Sequence, residues 1–274
     1  MKTRVLLADD HQLFLDGLKT LLQKEPSIDI VGVNSYGGLM TVGARYRSSG
    51  GSKPYIVTEL GPPGPWEAGK TAWGSPIEMT STAKGTWYAD GYRAAVTEQD
   101  GLCLGSYAFY WGHKQETTAT WFGMLLPDGS RLAAVDALVE AWTGTPPKNL
   151  CPRILSLEAD QTATLTPGQT VSARVSATDP ESDRLTFRWV LRSDSGTIGS
   201  GGDLQANEMS FDTAVSSIGP AAAVTMPDAG GGYRLFAYAA DDHGGAAVAN
   251  VPLYVEEPKA SIDPTHRTTT PESR

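Results

Sequence analysis

At the proline-rich junction Thr143-Gly-Thr-Pro-Pro-Lys-Asn-Leu-Cys-Pro152 the apolar period of the chain changes. Upstream, short apolar runs alternate with stretches whose apolar residues recur at three and four. Downstream, apolar and polar residues alternate one by one, as in strands with one covered face. A chain of 274 residues is long enough for about two domains. The period change therefore predicts an α/β unit followed by an all-β unit.

In the first unit, strands are expected at about 3–8, 28–34, 54–59 and 103–111, in one parallel sheet. The helix expected over 11–24 carries Leu13, Phe14, Leu18, Leu21 and Leu22 on one face and stops at Pro26. A short helix is expected over 38–48, and another over 82–98 with Tyr88, Tyr92 and Val96 on one stripe. The last, over 130–142, should have Ser130 as N-cap, Leu132, Val135, Leu138, Val139 and Trp142 inward, and Gly144 just past its end. Beyond the junction, Val171, Ala173 and Val175, then Leu185, Phe187, Trp189 and Leu191, then Tyr233, Leu235, Ala237 and Ala239 predict half-buried strands of a β-sandwich over 152–257. Trp189 is its expected packing tryptophan. The Thr-, Pro- and charge-rich segment 258–274 reads as a disordered tail.

The segment Tyr55-Ile-Val-Thr-Glu59-Leu-Gly-Pro-Pro-Gly-Pro-Trp66-Glu67 has a chemical implication. A buried strand ends at a carboxylate and gives way at once to turn residues, so Glu59 belongs at a strand's C-terminal end. In parallel α/β folds that is the end at which loops build active sites. A carboxylate there can act as nucleophile or general base. The following loop, 60–79, carries Trp66, Glu67, Trp73 and Glu78, and long loops of this kind are usually functional or disordered.

Residues 28–144, with Ile28-Asp-Ile-Val-Gly-Val-Asn34-Ser-Tyr36, Thr58-Glu59-Leu-Gly-Pro, Trp73-Gly-Ser-Pro-Ile-Glu78 and Gly105-Ser-Tyr-Ala-Phe-Tyr-Trp111-Gly-His-Lys-Gln, resemble the C-terminal third of retaining (β/α)8 glycoside hydrolases of the family 2 type. The resemblance implies that 28–34, 54–59 and 103–111 are barrel strands six, seven and eight. It implies Glu59 as nucleophile, Trp111 as the floor of the sugar subsite, and Asn34, Tyr36, Trp66 and Trp73 as further substrate contacts. Retaining hydrolysis needs a second carboxyl group roughly 5 Å away as acid/base. The family supplies it from strand four, which has no counterpart here, since a full barrel takes about 250 residues. Whether the chain is itself an enzyme is left open by this.

Residues 1–32, with Val5-Leu-Leu-Ala-Asp9-Asp10-His11, resemble the start of a response-regulator receiver domain. That resemblance implies that Asp9 and Asp10 help to hold magnesium beside a phosphoacceptor aspartate. No aspartate occurs between Asp29 and Asp90, however, and Glu59 stands at the end of the third strand. The two resemblances meet at Ile28-Asp-Ile-Val-Gly32, so the chain reads as a fusion at a shared strand. Ala177-Thr-Asp179-Pro-Glu181-Ser-Asp183 to Trp189, and Tyr233 to Gly245, resemble polycystic-kidney-disease-type (PKD) and cadherin-like domains of secreted enzymes. The expected fold class is thus a partial (β/α)8-barrel-like α/β sheet followed by an immunoglobulin-like sandwich.

A net charge of −9 argues against nucleic acid as partner, since phosphates call for clustered Lys and Arg. No apolar run approaches the ~18 residues of a membrane span. Asp9 and Asp10 interrupt any signal-peptide core after Lys2 and Arg4, although the family resembled by 28–257 is typically secreted or periplasmic. Cys103 and Cys151 form no metal motif and are expected as packed thiols. No cofactor is implied beyond two divalent cations: magnesium at Asp9 and Asp10, or calcium on the carboxylates of loop 179–183. Nothing in the sequence sets an oligomeric state. The expected partner is carbohydrate. The leading function is a glycoside hydrolase piece with little or no activity of its own. The alternatives are a non-catalytic carbohydrate-binding or adhesion module and a defective receiver.

Overall fold

The computed structural model describes residues 30–194 and 205–257. The expected strand 3–8, helix 11–24, the Asp9–Asp10 pair and the tail 258–274 lie outside these residues.

Strands β1 (Val31–Ser35), β2 (Tyr55–Leu60) and β3 (Cys103–Ala108) form a three-stranded sheet in that order. Both pairings are parallel, as the alternation of elements predicts, with Val33 opposite Val57, Asn34 opposite Glu59 and Leu60 opposite Ala108. Helix α1 (Val42–Ser48) connects β1 to β2, and α2 (Ser81–Tyr92), continued by a π-turn over Arg93–Thr97, connects β2 to β3. The α2 N-terminus is capped by Thr80, whose hydroxyl accepts from the Ala83 amide at 3.1 Å. Val31, Val33, Leu39, Tyr46, Tyr55, Val57, Tyr88 and Leu138 fill the core. Among the described residues three strands do not close a barrel, and the sheet edge at β3 leaves Leu104 and Tyr107 exposed.

Helix α3 (Ala133–Thr143) starts later than the sequence predicts. Leu132, not Ser130, occupies the N-cap position; the Ser130 amide instead donates to Asp128 Oδ1 at 3.0 Å in the preceding turn. Gly144 ends the helix as expected, at φ 73°, a left-handed conformation that costs glycine nothing. Trp142 corrects the predicted inward face. It is 50% exposed and stacks on Trp111, ring centroids 6.3 Å apart.

Past the junction, β4 (Arg153–Ala159), β5 (Thr170–Thr178), β8 (Ala221–Thr225) and β7 (Val215–Ile218) form one antiparallel sheet. A second contains β10 (Ala246–Val255), β9 (Gly231–Ala240) and β6 (Thr186–Ser193). Their inner faces enclose Val171, Val175, Trp189, Leu191, Val224, Leu235 and Leu253, the two-layer core of a β-sandwich. Trp189 packs there as predicted, its Nε1 donating to Gly219 O at 3.1 Å.

The second sheet is not half-buried, as its alternation suggests. Its outer face, with Val190, Phe236, Tyr238 and Val248, packs on Leu126 and Leu132 of the α/β unit. Strand β9 is therefore covered on both sides, which is why Tyr233 to Ala240 reads as nearly continuous apolar text.

Candidate functional site

The bulge between Val33 and Asn34 sets Asn34 directly opposite Glu59 at the C-terminal edge of the parallel sheet. Asn34 turns its Oδ1 to the Thr58 hydroxyl at 2.7 Å. Immediately after β1, Tyr36 donates its phenol to Glu59 Oε2 at 2.5 Å. Burial is the largest cause that raises the Tyr36 phenol above its ordinary value. The hydrogen bond to Glu59 and the fields of Glu59 and Glu116 add to it. Tyr36 therefore stays protonated and serves Glu59 as a fixed donor.

Aromatic rings hold that donor in place. Tyr36 meets Trp66 edge-on at 5.7 Å, Phe109 at 5.7 Å and Phe122 at 5.5 Å, while Trp66 and Phe122 are 6.1 Å apart. Offset and edge-on pairs of this kind contribute about 0.5–1.5 kcal/mol each beyond their buried area. Glu67 fastens the loop that carries Trp66, its Oε2 accepting from the Gly37 and Gly64 amides, each at 2.9 Å. The Phe109 carbonyl accepts from Tyr88, and Trp87 Nε1 donates to Gly61 O at 3.0 Å. Helix α2 thus tethers both loops beside Glu59.

The other sequence-predicted contacts fall elsewhere. Trp111 lies in the turn after β3 rather than on the strand, 51% exposed and stacked on Trp142. Trp73 packs against Tyr254 of the sandwich at 5.6 Å. Phe109, Phe122 and Glu116 were missed by sequence reading. Glu116 lies just past the Gly105–Gln115 motif and away from any expected strand end, so its carboxylate carries no signal in the sequence. Glu116 is buried and paired to Lys114 at 2.5 Å, with the Lys114 ammonium 5.1 Å above the Phe109 ring. Among the described residues, no second carboxylate is hydrogen-bonded into the Tyr36–Glu59 pair.

Glu78, in the same long loop, serves a different purpose. Its carboxylate accepts from Lys84 Nζ at 2.5 Å, Thr118 Oγ1 at 2.6 Å, Thr120 Oγ1 at 2.9 Å and Asn250 Nδ2 at 2.6 Å. Close by, Arg234 of β9, 0% exposed, donates to Asp194 Oδ2 at 2.8 Å, Ser75 Oγ at 2.7 Å, Pro76 O at 2.9 Å and Asn250 Oδ1 at 2.7 Å. These fully partnered polar clusters clamp the loop that follows β2 onto the sandwich. Each satisfies the rule that a buried charge be paired and hydrogen-bonded.

Of the two cation sites, only the loop over 179–183 falls within the described residues. Ligand atoms of Asp179, Glu181 and Asp183 lie within 4.8 Å of one another. Most are already engaged: Asp179 Oδ1 accepts from the Glu181 and Asp183 amides, Glu181 Oε2 from the Leu150 amide, and Asp183 Oδ2 from Asn149 Nδ2. Asp179 Oδ1 thus closes an Asx turn, Glu181 and Asp183 fasten the junction segment, and Asp179 Oδ2 is buried with no hydrogen-bond partner among the described residues. Cys103 and Cys151 are free thiols, as expected.

No protein-family model matches the sequence, and no curated protein is similar to it. Among solved structures, the chain is similar to the PKD1 domain of Vibrio anguillarum Epp, at 19% identity and a TM-score of 0.25 over 40% of this chain and 100% of that one. It is also similar to the PKD domain of an M14-like peptidase from Thermoplasmatales archaeon SCGC AB-540-F20, at 17% identity and a TM-score of 0.26 over 40% and 99%. A third likeness is to a Dscam structure described for isoform specificity, at 16% identity and a TM-score of 0.23 over 40% of this chain and 25% of that one. With scores this low, the sandwich rests on its own strand pairing: among the described residues, seven antiparallel strands in sheets of four and three, docked on a parallel α/β unit.

Proposed function

We propose that this chain is a carbohydrate-active piece of a retaining glycoside hydrolase, in which Glu59 is the nucleophile and the sandwich is a PKD-type accessory module. The observation that carries the reading is the Tyr36–Glu59 hydrogen bond at the C-terminal edge of a parallel sheet, with Asn34 alongside. A carboxylate held by one neutral donor at a strand end is oriented to attack an anomeric carbon. With no acid partner bonded to it among the described residues, it can form a glycosyl-enzyme only when the leaving group departs without a proton. Natural glycosides should therefore be left nearly untouched.

Incubation with an activated 2-fluoro glycoside, followed by intact-mass measurement, tests this. Addition of one glycosyl mass in the wild type, lost in Glu59→Gln, is the expected result. Hydrolysis of an unactivated oligosaccharide would show instead that a second carboxyl group serves as acid.

A second reading, carbohydrate binding without cleavage, is favoured by the Trp111–Trp142 pair. These two indoles are stacked within 29° of parallel and half exposed, a platform suited to a sugar face. Quenching of tryptophan fluorescence by oligosaccharides, lost in Trp111→Ala and without any labelling of Glu59, would favour it over the first.

A further inference from the structure

A cleft of about 270 Å³ opens between the two units, lined by His113, Thr120 and Asp128 of the α/β unit and by Arg188, Arg192 and Tyr238 of the sandwich. Arg188 and Arg192 are four residues apart on β6, so the pleat sends both to the same face of the sheet. That is the face turned toward the α/β unit, and β9 supplies an aromatic floor beneath them. The Arg188 Cζ lies 4.0 Å from the Tyr238 ring centroid and the Arg192 Cζ 5.7 Å from that of Phe236. The two rings are themselves stacked at 6.2 Å and 18°. Guanidinium planes resting on aromatic rings are fixed in orientation and can turn N–H edges toward a ligand, although Arg188 also hydrogen-bonds the Tyr238 phenol.

Among the described residues neither arginine has an ion-pair partner, in contrast to Arg131 and Arg234, which pair with Asp136 and Asp194. Among the described residues Arg192 Nε is buried with no hydrogen-bond partner. A buried donor left unsatisfied costs about 1–3 kcal/mol, a cost that an incoming oxygen removes. Asp128, the cleft's one carboxylate among its described lining residues, is engaged by the Ser130 amide, the largest cause holding it below the usual carboxylate range. Burial, and then Arg192, push the His113 imidazole below its ordinary value. His113 is therefore neutral near pH 7 and can offer an N–H.

We propose that this cleft binds a small oxyanion, the carboxylate or sulfate group of a free ion or of an acidic sugar, gripped by the N–H edges of Arg188 and Arg192 with His113 on the facing wall. The site is separate from Glu59 and does not depend on the role proposed for that residue. Two flat forks with permanent charge suit planar or tetrahedral oxyanions. The volume is just below the range of ordinary ligand pockets, which favours a ligand no larger than a monosaccharide acid.

Calorimetric titration of the full chain with sodium sulfate, D-glucuronate and D-glucose, at constant ionic strength, tests the site. Saturable binding of sulfate or glucuronate, with none of glucose, is expected. Arg192→Gln should weaken it at least tenfold. Arg184→Gln, which removes an exposed arginine outside the cleft lining, should not change it. Tighter binding of sulfate identifies a free inorganic anion as the ligand; tighter binding of glucuronate identifies a sugar acid. Equal affinity for glucose, an unchanged titration in Arg192→Gln, or no heat with either anion would overturn the proposal. If Arg192→Gln fails to fold, the more exposed Arg188→Gln carries the same expectation. Labelling of Glu59 by the 2-fluoro glycoside is read separately and should be the same in both variants.

Discussion

Lys84 and Glu78 meet at 2.5 Å inside the seam between the two units, with side chains only 7% and 1% exposed. The Lys84 ammonium also donates to Thr120 O at 2.8 Å, and Asn250 of the sandwich reaches the Glu78 carboxylate at 2.6 Å. One ion pair thus joins helix α2, the loop after β2, the segment around Thr120 and strand β10. Its partners satisfy both charges, so removing either one strands the other in a dry environment.

Lys84→Met should accordingly destabilise the chain by about 3–5 kcal/mol, since it leaves an uncompensated carboxylate. The double variant Glu78→Gln/Lys84→Met should recover much of that loss. Urea unfolding of the three proteins measures both effects, and a single-variant loss below 1 kcal/mol would mean that water reaches the seam.

The same pair predicts an acid limit. Burial alone would raise the Glu78 carboxyl, but the charge and hydrogen bond of Lys84 and the hydrogen bond of Thr118 outweigh it, leaving Glu78 below the usual carboxylate range. A folded value depressed below the unfolded one, about 4.3, gives stability that is present above pH 4.3 and lost as pH falls through the folded value. Thermal midpoints should therefore drop below about pH 4. The drop should be shallower in Glu78→Gln, and identical slopes in the two proteins would count against this linkage.

Tyr36→Phe keeps the ring that packs against Trp66, Phe109 and Phe122 but removes the donor to Glu59. A hydrogen bond to a charged group is worth about 1.5–3 kcal/mol, so labelling by the activated glycoside should slow by roughly tenfold or more. Thermal stability should change far less than the rate. An unchanged labelling rate would remove Tyr36 from the positioning of Glu59.

Helices α2 and α3 are in tight contact at Gly85. A Cβ added there would lie 2.7 Å from the Ala133 Cβ and 3.0 Å from its backbone carbonyl carbon and oxygen. Since backbone cannot swing aside as a long side chain can, Gly85→Ala should cost about 1–3 kcal/mol through overpacking. This should exceed the gain of up to about 1 kcal/mol that alanine brings to a helix interior. A chemical-denaturation midpoint that rises in Gly85→Ala would show that the helices can separate.

Much of the local structure is legible in the sequence. The runs ending at Ser35, Leu60 and Ala108 form parallel strands, Gly144 ends its helix in the left-handed region, and Val171, Trp189 and Leu235 point into a sandwich core. Each follows from period, turn chemistry or chirality, which act over a few residues. So does the position of Glu59, because a strand's end is marked by the residues beside it. What covers an outward face is a different matter. Trp142 and Phe236 both stand on apolar stripes, yet Trp142 faces solvent beside Trp111 while Phe236 is sealed beneath the α/β unit. Period identifies an apolar face but not its neighbour. The neighbour is decided by docking between segments far apart in the chain, such as Ser75 and Arg234, 159 residues from each other and hydrogen-bonded at 2.7 Å. The Tyr36–Glu59 contact and the arginine-lined cleft are likewise tertiary, because donors, rings and charges from separate elements converge only once the core and the seam have closed.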